Sequence, residues 1–163
     1  MFDTPIDAWY VWLGLSVASL AVFGVVVSLP TAPPPDAAGA AELVDRVATT
    51  TYDTTASRSL DAHAIRIGPR RIGLRNNAGT THATLGYRVV PVSGQTALTR
   101  VLRGSPPPAT FSSPTAFERA VRTARERDPR WRPTRGVLVV RRLSWGGVDV
   151  TLVGTSDSRP GGV

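Results

Sequence analysis

The hydrophobic pattern of the chain changes character three times. From Trp9 to Leu29, twenty-one residues pass without a charge. As a helix this stretch spans ~31 Å, close to the hydrocarbon thickness of a bilayer. Eleven of its residues are Leu, Val or Phe, which favour insertion by about 3 to 7 kcal/mol before Gly and Ser are subtracted. Trp9, Tyr10 and Trp12 cluster at one end, where amphipathic rings prefer the headgroup level. Pro30 closes the other end after Leu29. The pattern predicts a transmembrane helix over 9–29 behind a short N-terminal segment, 1–8, with Trp9, Tyr10, Trp12 and Leu29 as membrane-anchor residues. Three alternatives fit less well. The segment MFDTPIDA has two acids and no base, unlike a signal peptide. A pilin-type start would carry a short basic leader ending in Gly, and a buried core helix would need a larger domain around it. Gly14, Ala18, Ala21 and Gly24 fall at i, i+4, i+7 and i+10, a candidate helix-packing stripe of small residues.

Residues 30–35, PTAPPP, form a proline-rich spacer that cannot continue a helix. Periodicity then alternates between helix and strand over 36–154, the expected α+β domain. Asp36 is placed as an N-cap for AAGAAELVDRVAT, with Leu43, Val44 and Val47 as its apolar stripe. Residues 61–91 read as a three-stranded antiparallel meander. In it Ile72 and Leu74 alternate with Arg71, Gly73 and Arg75, and Ala83, Leu85, Tyr87 and Val89 oppose His82, Thr84 and Arg88. Two helices are expected to cover this sheet. One runs from about Gln95 to Arg103, and the other begins at Ser113-Pro114, with Phe117, Ala120, Val121 and Ala124 on one side. A C-terminal β-hairpin turns at Gly146-Gly147, and 155–163 reads as a disordered tail.

Charge alters this picture in one respect. All nineteen basic residues are arginine, against twelve acids. Residues 1–29 hold only Asp3 and Asp7, so the rest carries 19 − 10 = +9. Such a surface favours anionic partners, although a GC-biased arginine-rich coding sequence produces the same composition. Nine arginines lie between Arg119 and Arg142. Arg119, Arg122, Arg125, Arg130, Trp131, Arg132, Arg141 and Arg142 are the candidate partner-binding basic face. Glu118–Arg122 and Arg122–Glu126 have i,i+4 spacing, so part of that run is also an ion-paired helix surface. Nucleic acid is not expected as partner, because no helix-turn-helix, RNP or zinc-finger pattern is present.

Catalytic chemistry finds little support. With no cysteine, disulfides and thiolate metal sites are excluded. His63 and His82 lie on neighbouring strands of the expected meander, and two imidazoles without a carboxylate make a poor metal site. The Trp145-Gly146-Gly147 turn lacks the lysine and helix of a phosphate loop. No cofactor, metal or catalytic residue is expected, and the protein reads as non-enzymatic.

Lysine avoidance, the opening FDTPIDAWYVW, the LVDRVATTTYDT region and the closing WRPTRGVLVVRRLSWGGVDVTLVG together resemble an uncharacterised haloarchaeal family of short single-span membrane proteins. That resemblance implies association with tight-adherence, type IV-pilus-like assembly systems and a pseudopilin-like or accessory role. The expectation is therefore a single-pass cell-membrane protein with an extracytoplasmic C-terminal domain acting as an interaction module. Its expected contacts are the lipid bilayer and protein partners or self-association through the span. The alternative is a cytoplasm-facing basic domain that binds anionic lipid or nucleic acid.

Overall fold

The computed structural model describes residues 8–27, 33–134 and 136–156. The chain divides into two units, Met1–Pro33 and Pro34–Val163. In the first, helix α1 covers Ala8–Val27, and its described side chains, Trp9 to Ala21, are all exposed. Among the described residues no helix is long and apolar enough to cross a membrane. The transmembrane assignment over 9–29, the single-pass class and the cell-membrane localisation are corrected accordingly. Trp9 and Tyr10 instead contact each other, with ring centroids 3.8 Å apart. Trp12, Gly14, Ala18 and Ala21 are exposed on α1, and Gly24 lies further along the same helix. Leu29 and the N-terminal segment 1–7 lie outside the described residues, as do 30–32 of the expected spacer.

The second unit begins with helix α2, Ala37–Ala48. Asp36 caps it as expected: its carboxylate accepts the Gly39 N–H at 2.8 Å and pairs with the Arg58 guanidinium at 2.6 Å. The buried side of α2 is built from Ala37, Ala40, Ala41, Val44 and Val47. These small side chains let the helix lie close against strands.

Among the described residues, eight strands form two four-stranded sheets, not one meander plus a hairpin. The first has the order β1-β7-β8-β5, where β1 is Thr54–Ser59, β5 Val90–Pro91, β7 Val137–Trp145 and β8 Val148–Ser156. The β7–β8 hairpin turns through Gly146 and Gly147 at φ 59° and 80°. A two-residue turn that follows the twist of its strands needs positive φ at both centres, which glycine adopts without strain. The polar strand β1, TTASRS, carries no apolar alternation and pairs antiparallel with β7 from Thr54↔Arg142 to Ser59↔Val137.

The second sheet has the order β4-β3-β2-β6, with β2 Ala64–Ile67, β3 Arg71–Asn76, β4 Gly79–Thr84 and β6 Arg132–Pro133. The expected third meander strand stops at Thr84. Beyond it, the Gly86 and Tyr87 amides donate to the Asp45 carboxylate of α2 at 3.0 and 3.3 Å. That bends the chain away, and Tyr87 faces solvent at 49% exposure instead of joining a covered face. Val90 and Pro91 then cross to the first sheet and pair in parallel with Leu152 and Val153.

Helices α3, Ala97–Leu102, and α4, Pro114–Glu126, start near the expected positions. The Ser113 hydroxyl accepts the Ala116 N–H, with Pro114 in the first turn. They do not cover the meander. Leu98, Val101, Leu102, Phe117 and Val121 pack with Leu143, Val150 and Leu152 of the first sheet. Phe117 is fully buried between Phe111 and Trp145, at ring distances of 5.3 and 5.8 Å. The meander packs its Ile72 and Leu74 against α2. The expected element order is thus corrected by the addition of β1, β5 and β6 and by the exchange of covering helices. The physical reason is that strand pairing and layer choice depend on contacts remote in sequence. Strand β8 runs through Ser156, and 157–163 of the expected tail lie outside the described residues.

Candidate functional site

A cleft of about 550 Å³ opens beside the β5 edge of the first sheet and the β2–β6 side of the second. Its apolar lining includes Ile65, Ile67, Val92 and Leu102. Arg103, Arg127, Arg130 and Arg132 also line it, with Asp128 as the one carboxylate.

Local chemistry explains how each arginine arrives there. Arg103 and Arg127 are the residues that terminate α3 and α4, where a cation also complements the helix dipole. Arg130 follows Pro129, whose ring lies against Gly68. A Cβ on that glycine would come within 3.1 Å of the proline Cγ, so the missing side chain lets the 127–130 segment approach the meander. Arg132 is placed by β6, opposite Ile65 of β2. Across the cleft the 93–96 loop is held by a capping box, in which the Thr96 and Thr99 side chains each accept the other's backbone N–H.

All four cleft arginines are exposed, and among the described residues none of their guanidiniums makes an ion pair or hydrogen bond. Beyond Ile65 the β6 side of β2 is flanked by the 129–131 segment, which brings the Pro129 ring against Gly68. The arrangement presents cations around an apolar floor.

The other expected basic-face residues are distributed differently. Arg122 pairs with Glu118 at 3.2 Å on α4. Arg119 borders a separate groove of about 280 Å³ between α3 and α4. Arg125 faces another recess near Arg88. Burial, and then the nearby Arg88 guanidinium, push its pKa below the usual arginine value. Its Nε is buried without a hydrogen-bond partner among the described residues. Arg141 is half-buried and donates to the carbonyls of Val101 and Ser105, tying the end of α3 to β7. Arg142 lies half-buried in β7, opposite Thr54 and Thr151. Only Arg130 and Arg132 of that set reach the cleft.

Trp131, between them, turns to the other side of the second sheet. Its ring stacks under the Arg75 guanidinium at 4.4 Å and meets His82 edge-on at 5.8 Å. His63 and His82 are not on adjacent strands, since β3 separates β2 from β4. Among the described residues no group of three or more His, Asp or Glu is arranged to hold a metal ion. Sequence reasoning overlooked Arg103, Arg127 and Asp128 as cleft residues. The available signal was their position at helix ends.

Fold and cleft together define a two-sheet α+β domain with an arginine-lined recess. The chain belongs to a family of unknown function (DUF7283), whose model matches residues 3–143. No curated protein and no solved structure matches it.

Proposed function

We propose that the domain is a non-enzymatic interaction module whose cleft receives an extended acidic segment of a protein partner. The observation that carries this reading is the convergence of four unpaired arginines around an apolar floor. Carboxylates would meet the guanidiniums in charge-assisted, bidentate geometry. Alternate apolar side chains would reach Ile67 and Val92. The haloarchaeal resemblance supplies a setting for such a partner, a neighbouring component of a pilus-like or secretion-type surface assembly.

The test is fluorescence anisotropy of the full chain with a labelled alternating Glu-Val octapeptide. Arg130→Glu with Arg132→Glu should weaken binding at least tenfold, while the thermal midpoint stays within a few degrees. Equal binding of a Gln-Val peptide, or indifference to the double substitution, overturns the proposal.

A further inference from the structure

The face of the second sheet that turns away from α2 carries a different grouping. Its outward residues are Ala64 and Arg66 on β2, Arg71, Gly73 and Arg75 on β3, Thr80, His82 and Thr84 on β4, and Trp131 and Pro133 at β6. The registers Arg66↔Gly73 and Gly73↔His82 bring them together. The opposite side chains, Ile65, Ile72 and Leu74, are buried. The outward set thus holds three arginines, an imidazole and an indole, and no carboxylate. Neither of the two ion pairs among the described residues involves these arginines.

At the centre the chemistry is fixed in place. A Cβ on Gly73 would lie 2.8 Å from His82 Cδ2 and 3.1 Å from Trp131 Cη2. The glycine is therefore the seat that lets both rings lie down on the sheet. Arg75 donates from Nε to the Thr80 hydroxyl at 3.0 Å while its guanidinium carbon sits over Trp131. Stacking and hydrogen bonding hold the plane of this guanidinium, and its two terminal nitrogens have no partner among the described residues. Arg66 and Arg71 flank it, both exposed.

We propose that this bare sheet face binds single-stranded nucleic acid, independently of the acidic-segment cleft. Phosphates would engage Arg66, Arg71 and Arg75, and a base would stack on the Arg75–Trp131 platform. Two features favour this ligand over an acidic polypeptide. An aromatic ring lies among the cations, as sequence-tolerant base stacking requires. The face is also an open, four-stranded surface on which unstacked bases can be splayed. A duplex, with its bases already stacked, gains only the charge term.

The experiment measures anisotropy of a fluorescein-labelled 20-nucleotide oligo(dT) with the full chain between 50 and 500 mM salt. Three phosphate contacts predict a log–log salt slope of about −2, from roughly −0.7 per contact on single strands. Arg66→Glu with Arg71→Glu should weaken binding at least tenfold while leaving the Glu-Val peptide affinity intact. Trp131→Phe, which keeps a ring on Gly73, should cost about 5-fold or more. The inference is overturned if the oligonucleotide does not bind at 50 mM salt. It is also overturned if neither variant weakens binding, or if poly-glutamate of equal charge competes as well as unlabelled oligo(dT). In the last case the face reads charge alone, as an acidic protein partner would need.

Discussion

Gly154 offers the sharpest check on how the first sheet is packed, because two physical effects act there in opposite directions. It lies in β8 with an ordinary backbone conformation, so Ala adopts its φ and ψ freely. By reducing the freedom of the unfolded chain, Gly154→Ala should stabilise by about 0.4–1 kcal/mol. The new Cβ, however, would sit 2.7 Å from Leu102 Cδ2 and 2.8 Å from the Val92 carbonyl oxygen, where ordinary contact begins at 3.4 Å. The leucine can shift its side-chain tip. The carbonyl cannot easily retreat, since the Val92 N–H is bonded to the Val153 carbonyl at 2.8 Å in the neighbouring backbone. Overpacking against a fixed group costs about 1–3 kcal/mol, so the clash wins and the net change is a loss of about 1–2 kcal/mol. For a domain of this size that corresponds to a fall in Tm of roughly 4–8 °C. Urea unfolding followed by circular dichroism measures it. Leu102→Val, which removes Cδ2, should fail to rescue the variant because the carbonyl contact remains. An unchanged or higher midpoint for Gly154→Ala would refute the reasoning. Val92 also lines the arginine cleft, so the same variant should weaken the Glu-Val peptide even while folded.

Two further outcomes follow from the same packing. Phe117→Ala removes a fully buried ring from the Phe111–Trp145 contact. It should destabilise by about 3–5 kcal/mol, seen as loss of near-ultraviolet dichroism and an early urea midpoint; a loss under 1 kcal/mol would count against it. Asp36 is held below the usual carboxylate range chiefly by the Gly39 N–H; desolvation opposes this, and the Arg58 charge and hydrogen bond add smaller lowering effects. A depressed folded pKa contributes stability above the unfolded value, and that contribution is lost as pH falls through the folded value. Stability should therefore decline on acidification below about pH 4, and Asp36→Asn should flatten that decline; identical acid limbs for the two proteins would contradict the assignment.

Several elements were legible locally because their signals are local. Asp36 and Ser113-Pro114 start helices because a short oxygen-bearing side chain reaches an unpaired N–H three residues on. Gly146-Gly147 makes the hairpin because both positions need positive φ. The alternation Arg71-Ile72-Gly73-Leu74-Arg75 correctly separated a core side from an arginine side. Strand β1 was not legible: TTASRS has no apolar period, and it is a strand because β7 pairs with it 78–88 residues away in its register.

Sequence alone determined composition, the absence of cysteine, the helix starts, the hairpin turn and the two-sided pattern of β3, all set within a few residues. Among the described residues no helix is long and apolar enough to cross a membrane, a correction to the local pattern of 9–29, and tertiary structure decided that the meander faces α2 while α3 and α4 serve the other sheet. It also decided which arginines converge. Arg103, Arg127 and Arg132 share a cleft, and Arg75 meets Trp131, through pairings between distant segments. No window of neighbouring residues encodes such contacts, because each forms only when the whole chain buries its apolar surface together.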